Sequence, residues 1–320
     1  MSRFDAWPLI SLFCAFCVSS IVVAQGPPTR RHNQTQSSGV KRLVPATTQV
    51  SVANQVNITV EENFRVIRAN GIPDHKTGRF PNNGNPHQIV GQNNTFRIPA
   101  NPKPAARTTP LGMHNFGIAI NGVPFDPGAA EWYLGQRTGG WQYEALSGAV
   151  PLGLDASYAH VQPTGAYHYH GLPTELLKKL DVNSNSHSPL IGWAADGFPI
   201  YALYGFDQPK DATSQPRLMK SSYRVKEGTR PRKQLTPSGR FDGTFIADYE
   251  YVEGLGDLDQ CNGRFCVTPD FPDGTYAYFL TSDWPVVPRI YRGTPSADFQ
   301  RRGPNRQGPP GRRGPPRRRR

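Results

Sequence analysis

The stretch Tyr167-His168-Tyr169-His170 is the most informative part of this sequence. Alternate side chains of a β-strand point to opposite faces of the sheet, so the two histidines share one face and the two tyrosines share the other. Two neutral imidazoles side by side are a common beginning of a transition-metal site. The simpler alternative is a surface strand that carries two unrelated histidines.

An internal repeat separates these histidines from their framework. Leu154-Asp155 is followed by Tyr167 and Tyr169, and Leu258-Asp259 is followed by Tyr276 and Tyr278, with an insertion in the second copy. The histidines do not recur: His160, His168 and His170 of the first copy correspond to Arg264, Ala277 and Phe279 of the second. Because the tyrosines are kept and the histidines are not, packing does not require the histidines. The repeat therefore favours a chemical role for them.

Further metal ligands must come from elsewhere in the chain. His160 lies eight residues before His168, across a turn, and His114 precedes an apolar strand. We expect these four histidines to bind the metal, with copper or zinc preferred because the donors are imidazoles. Asp196 and His187 are expected as extra ligands or as partners that orient an imidazole. Asp126 is a second possible carboxylate partner, and His75 and His87 are further candidate ligands.

Short alternating segments between turn residues predict an all-β fold. The candidate strands are residues 50–52, 56–60, 64–68 and 276–280. Three turn units, at Asn70-Gly71, Asn121-Gly122 and Asp196-Gly197, predict tight hairpins, most clearly for the last two, which follow apolar strands. Residues 174–180 are the one short helix candidate. We predict a single sandwich- or barrel-like domain over residues 46–300, with very little helix.

The two ends of the chain differ in composition from this domain. Residues 1–24 have a basic start, a short apolar run and small residues before Gln25, which is typical of a cleaved signal peptide. Residues 25–45 and 301–320 are predicted to be disordered because they contain little that could form a core. We therefore expect a protein that is secreted or located in the periplasm or cell envelope. In such an oxidising compartment, Cys261 and Cys266 are expected to form a disulfide.

The basic charge is concentrated in the tails. The formal net charge is +12, yet residues 301–320 contain nine arginines and no acidic residue. Such a tail favours an anionic envelope polymer or a membrane surface as partner, and export makes nucleic acid an unlikely one. A solvated tail without a partner is the alternative. The domain itself is close to neutral.

Several enzyme classes lack their sequence signals. There is no Gly-x-Ser-x-Gly motif for a serine nucleophile and no glycine-rich phosphate loop. Acidic residues are scattered without a spacing that marks a catalytic pair. Three hypotheses stay open: a metal-binding protein, a metal-dependent hydrolase or oxidoreductase, and a structural or adhesive envelope module.

Several stretches of the domain resemble the YHYH-domain family of exported proteins. They cover residues 115–125, 155–170, 188–201 and 258–276, and the resemblance extends over roughly residues 50–295. Similar sequences often have Cys-Asn-Gly before the first histidine, where this chain has Ser157-Tyr158-Ala159. A cysteine role at that point is therefore not expected here. The resemblance implies export and the tyrosine–histidine framework, and it brings no established activity with it.

Overall fold

The structure is a computed structural model that describes residues 42–300. The predicted signal peptide, most of the predicted leader and the arginine-rich tail lie outside the described residues. Val44, which lies in the predicted leader, pairs with Asp155 through two backbone hydrogen bonds of the 154–156 segment, each 2.9 Å long. Within residues 42–300, no helix is both long enough and apolar enough to cross a membrane.

Short strands dominate the chain, which confirms the all-β prediction. The first ten strands are β1 Val56–Glu61, β2 Phe64–Ala69, β3 Asn94–Pro99, β4 Thr109–Pro110, β5 Gly117–Ala119, β6 Pro124–Phe125, β7 Gly128–Trp132, β8 Gln142–Glu144, β9 Ala159–Val161 and β10 Tyr167–Tyr169. The other nine are β11 Gly192–Ala194, β12 Pro199–Ala202, β13 Tyr204–Phe206, β14 Pro216–Leu218, β15 Tyr223–Val225, β16 Tyr249–Tyr251, β17 Gly263–Thr268, β18 Phe271–Leu280 and β19 Ile290–Tyr291. The single α-helix of the described residues is α1, Thr174–Lys179. Residues 50–52, predicted as a strand, form none.

A mixed eight-stranded sheet organises the domain, in the order β17-β18-β12-β11-β5-β6-β10-β9. The antiparallel sheet β1-β2-β3 shares one large hydrophobic core with it, which contains Ile67 and Ile98 of the smaller sheet and Ile118 and Ile200 of the larger. The remaining strands form four two-stranded ribbons at the periphery.

The eight-stranded sheet consists of two similar halves. In each half, a central hairpin (β5–β6 or β11–β12) pairs in parallel with the inner strand of an edge hairpin (β9–β10 or β17–β18). The halves meet where β5 and β11 pair antiparallel, so the strand order is the same when read inward from either edge. His168 lies opposite His160 in the first half, and Ala277 lies opposite Arg264 in the second. These are the same correspondences that the sequence repeat predicts.

The tyrosines of the repeat make equivalent hydrogen bonds in both halves. The Tyr167 hydroxyl donates to Asp155 Oδ2 at 2.8 Å, and the Tyr276 hydroxyl donates to Asp259 Oδ1 at 2.8 Å. The second tyrosine of each pair contacts the turn of the central hairpin: Tyr169 accepts from the Asn121 amide at 2.9 Å, and Tyr278 donates to Asp196 Oδ2 at 2.6 Å. The tyrosine face is therefore the shared framework of the fold.

The turns of the two central hairpins differ in detail from the prediction. Each loop has three residues, closed by bonds of Ala119 to Val123 in one case and of Ala194 to Phe198 in the other. Only the glycine has a positive φ, 80° at Gly122 and 92° at Gly197, as in a hairpin with a left-handed third position. Asn70-Gly71 follows β2 but leads into no strand, so the third predicted hairpin is absent.

The predicted disulfide is wrong, because Cys261 and Cys266 are both free, buried thiols. Cys261 lies in the turn before β17 and packs into the main core, whereas Cys266 lies within β17 and packs into a second cluster with Tyr201 and Phe279. The two side chains thus enter different parts of the interior. Burial raises the pKa of the Cys261 thiol to about 12 and also raises that of Cys266.

Candidate metal centre

The β9–β10 hairpin brings two of the histidines together. His168 is the direct cross-strand neighbour of His160, and such neighbours lie close enough for their side chains to touch. His170 follows the strand, and its backbone N–H donates to the Tyr158 carbonyl at 2.8 Å, which keeps it beside the same hairpin. His168 and His170 are buried and His160 is partly buried.

The three imidazoles converge through their Nε2 atoms. His170 Nε2 lies 3.0 Å from His168 Nε2 and 3.0 Å from His160 Nε2. Each ring thus offers one nitrogen that lies within 4.8 Å of the nitrogens offered by the other two rings. Two nitrogens that each bind one Zn²⁺ at about 2.0–2.1 Å are roughly 2.8–3.4 Å apart for bond angles between square and tetrahedral. The observed separations fall in that range.

The outer nitrogens of the rings face backbone carbonyls. His160 Nδ1 lies 2.8 Å from the Leu152 oxygen, and His168 Nδ1 lies 3.2 Å from the Ala166 oxygen. A carbonyl can only accept, so each Nδ1 carries the hydrogen and each Nε2 keeps a free lone pair when the ring is neutral. The Pro127 carbonyl interacts with the His170 ring and raises its pKa, although His170 Nδ1 has no partner in hydrogen-bond geometry. The orientation matches that of metal-bound histidines, whose second nitrogen is held by an outer acceptor.

Burial keeps these rings neutral. Desolvation lowers the pKa of His168 and of His170 well below the usual value near 6.5, and the neighbouring imidazoles lower it further. The pKa of His160 is lowered as well, chiefly by desolvation and in part by His87. Three neutral rings with lone pairs turned toward one another repel unless a cation lies between them. The site is therefore chemically suited to a metal ion that prefers nitrogen ligands.

A buried carboxylate stands beside the three histidines. Asp126 Oδ2 lies 4.0 Å from His168 Nε2, and Asp126 is only 1% exposed. The Gln162 amide donates to this same oxygen at 3.0 Å. Asp126 directly follows β6, whose parallel pairing with β10 sets Phe125 opposite Tyr169. Asp126 and Asp196 are the two carboxylate partners expected from the sequence, and the sheet places Asp126 at the histidines.

A pocket of about 380 Å³ opens onto the histidines. Its walls come from three segments, residues 84–87, 126–131 and 151–152, together with the β9–β10 hairpin. A ligand in this pocket could therefore reach a metal held by the three rings. The pocket also contains His87 at its lining, so His87 lies near the centre without belonging to the converging group.

Three of the predicted site residues lie elsewhere. His114 is not among the converging ligands of the described residues. His187 packs its ring against Tyr201 and Phe206, in the second half of the sheet. Asp196 accepts hydrogen bonds from Tyr278 and from the Gly293 backbone, so it belongs to the tyrosine framework.

The corresponding place in the second half is filled by apolar side chains together with Arg264, the counterpart of His160, whose guanidinium lies 5.7 Å from the centre of the Phe279 ring. Ala277 and Phe279 take the positions of His168 and His170, and they form a buried cluster with Tyr201, Met219 and Cys266. Tyr201 follows Ile200 as Asp126 follows Phe125, so an aromatic ring replaces the carboxylate as well. The same scaffold thus exists once with ligands and once without them.

A buried ion pair holds the segment next to the candidate metal centre in place. Arg289 donates to both oxygens of Glu144 at 3.0 and 3.1 Å, and to the Pro127 carbonyl at 2.8 Å. Glu144 is fully buried and also accepts from the Trp284 indole. Together these contacts hold the segment that carries Asp126 and Pro127. Nothing in the sequence marks this pair, because its members are 145 residues apart.

Comparison with known proteins places the chain in one family. Searches of curated proteins and of solved structures found no match. The family model for YHYH proteins matches residues 95–293, which is well over half of the chain and includes both halves of the large sheet. The chain therefore belongs to the YHYH protein family.

Proposed function

We propose that this protein is an exported protein that binds a transition metal, copper or zinc, through His160, His168 and His170. The observation that carries the proposal is the convergence of three Nε2 atoms from buried, neutral rings. Asp126 stands next to the histidines as a carboxylate that can bind the metal or accept a proton. The export part rests on the signal-like residues 1–24.

The preference for copper or zinc over calcium or magnesium follows from the donor set. Imidazole nitrogen suits copper and zinc, whereas calcium and magnesium prefer sites made of oxygen ligands. The thiols of Cys261 and Cys266 are not part of the converging group. A site with three imidazoles and one adjacent carboxylate fits copper or zinc better than an iron–sulfur or all-cysteine zinc centre.

The second half of the sheet supplies the test variant. Replacing His168 with Ala and His170 with Phe copies Ala277 and Phe279, which this scaffold already accommodates. We expect protein purified from its native compartment to contain about one copper or zinc per chain, and the double variant to contain almost none. His114→Gln should keep the metal, because His114 is outside the converging group. Intact mass spectrometry of the same samples should show a chain that begins at Gln25.

Unchanged metal content in the folded double variant would overturn the proposal. Circular dichroism and a cooperative thermal transition establish that the variant is folded.

A metal-dependent enzyme is a second candidate, favoured by the pocket that opens onto the histidines. Catalytic metal sites keep a position open for water or substrate, whereas purely structural ones are closed. In a hydrolase or oxidoreductase, Asp126 would be the candidate base. Co²⁺-loaded protein tests this: an added neutral ligand, imidazole, should shift its visible absorption if a coordination position is open. A spectrum that imidazole leaves unchanged would argue for a closed, non-catalytic centre.

A further inference from the structure

The pocket above the histidines has an acidic lining. Its charged side chains are the carboxylates of Asp126 and Glu131, and the lining contains no lysine or arginine. Both belong to one wall, the segment that runs from the end of β6 into β7. A concave site with low-dielectric walls and one sign of charge focuses the field and raises the local concentration of the opposite ion. This pocket therefore attracts cations toward the three histidines.

Within residues 42–300, no side-chain partner explains the position of Glu131. Its Oε2 atom is buried and makes no hydrogen bond within residues 42–300, and Glu131 takes part in no salt bridge there. A buried polar atom left unpaired is costly, so such atoms in native proteins call for an explanation such as an ion or an ordered water. A cation that passes through the pocket would provide one.

His87 lines the same pocket from the other wall, next to Asn85, whose amide contacts His160 Nδ1 at 3.3 Å. His87 is only partly buried, whereas His168 and His170 are buried. Glu131 is partly buried as well, so a cation entering from solvent meets Glu131 and His87 before it reaches His168 and His170.

We propose that Glu131 and His87 capture the incoming metal cation and pass it to His160, His168 and His170. This inference rests on the proposed function and deepens it, since it assigns the route by which the metal enters. Capture changes the rate of association and leaves the final ligands unchanged. The expected signature is a slower uptake with the same stoichiometry.

Stopped-flow measurement of Cu²⁺ uptake by the metal-free full chain tests this route, with quenching of tryptophan fluorescence as the signal. We expect Glu131→Gln to lower the association rate constant on the order of threefold to tenfold, and His87→Gln to lower it by a similar factor. Added NaCl should slow the wild type more than the Glu131→Gln variant, because salt screens the removed charge. Copper stoichiometry should stay the same in all of them.

Glu227→Gln is the matched control, since it removes the same charge from a side chain that is 89% exposed. Equal association rates for Glu131→Gln and Glu227→Gln would overturn the capture role while leaving the metal site intact. A wild-type protein that takes up no copper would overturn the proposed function itself. A Glu131→Gln variant that binds no copper at equilibrium would show a ligand instead of a capture residue, which also contradicts the inference.

Discussion

Single histidines of this protein differ in what each ring nitrogen contacts. Both nitrogens of His75 have partners of ordinary kind, the Lys76 carbonyl at 2.8 Å and the Tyr169 hydroxyl at 2.7 Å. In His168, Nδ1 faces a carbonyl while Nε2 faces only other imidazoles and Asp126. His75 is thereby a satisfied structural residue and His168 a candidate ligand. Residue type alone could not separate them, because the partners come from distant parts of the chain.

The Asp196 carboxyl makes the free energy of unfolding depend on pH. Desolvation raises the pKa of Asp196 to about 6, against the hydrogen bonds from Tyr278 and Gly293 that favour its charged form. The folded state holds the proton more tightly than the unfolded chain, where an aspartate has a pKa near 3.9. Its contribution to the free energy of unfolding is therefore greatest below about pH 4. That contribution falls between about pH 4 and 6 and is then constant.

We predict that Asp196→Asn removes this dependence. Asn121 occupies the equivalent position in the first half, where its amide donates to Tyr169. At position 196 the amide oxygen of Asn can still accept the hydrogen bonds from Tyr278 and Gly293 that Asp196 Oδ2 accepts. Above pH 6 the variant should be more stable than the wild type, by up to about 3 kcal/mol for a shift of about two pKa units. Urea unfolding at pH 4.5 and at pH 7.5 measures the difference.

The exposed Asp273 provides the control for this experiment, since Asp273→Asn should leave the pH profile as in the wild type. An Asp196→Asn variant with the wild-type slope between pH 4 and 6 would contradict the assignment.

Strand pairing explains why the sequence repeat predicts the framework so well. The repeat matches residues that lie opposite one another in equivalent hairpins, Tyr167 with Val161 and Tyr276 with Phe265. The insertion in the second copy does not disturb this register, because it extends the β17–β18 hairpin outward to the pair Thr268–Phe271. Alternation of side chains is a local property of a strand, so a sequence can reveal it. The three-residue loops were less predictable, since they depend on the φ angle of a single glycine.

The equivalent tyrosines allow a matched prediction on the two hairpins. Tyr167→Phe removes a hydrogen bond to Asp155, which is fully buried, and should lower the free energy of unfolding by about 2 kcal/mol. Tyr276→Phe removes the corresponding bond to Asp259, which is only partly buried, and should cost about 1 kcal/mol. Chemical denaturation of both variants measures the two losses in free energy of unfolding and shows which is larger.

Metal stoichiometry serves as the control here, because the tyrosines lie on the face away from the ligands and both variants should keep the wild-type value. A larger loss of stability in Tyr276→Phe than in Tyr167→Phe would contradict the prediction.

At the scale of the whole domain, the two halves of the large sheet share one architecture but differ on their outer faces. At their junction, Gly117 and Gly192 allow β5 and β11 to approach: an added Cβ would lie 2.4 Å from the Trp193 oxygen at Gly117 and 2.5 Å from the Ile118 oxygen at Gly192. Beyond this common centre, the second half fills its outer face with Phe279, Tyr201 and Met219. The first half instead leaves a pocket there. Both halves therefore contribute to the core, but only the first half carries the candidate site.

Metal binding should stabilise the entire domain, because its ligands come from a hairpin that belongs to the large sheet. At a free metal concentration 100 times the Kd, binding adds about 2.7 kcal/mol, which for a domain of this size raises Tm by roughly 5–10 °C. Differential scanning calorimetry with Zn²⁺ or Cu²⁺, and again after addition of a chelator, measures the shift.

The His168→Ala/His170→Phe variant should show no such shift with either metal. An equal shift in that variant would place the stabilising metal elsewhere on the chain.

The sequence by itself determined the properties that depend on neighbouring residues: strand character, the tyrosine and histidine faces, two of the three predicted hairpins and the family. Only the tertiary structure decided which distant residues meet. It brought His160 beside His168 and left His114 out, it placed Asp126 rather than Asp196 at the histidines, and it kept the two cysteines apart. The physical reason is strand order. Parallel pairing of β6 with β10 carries Asp126 to the histidine face, whereas the equivalent pairing of β12 with β18 carries Tyr201.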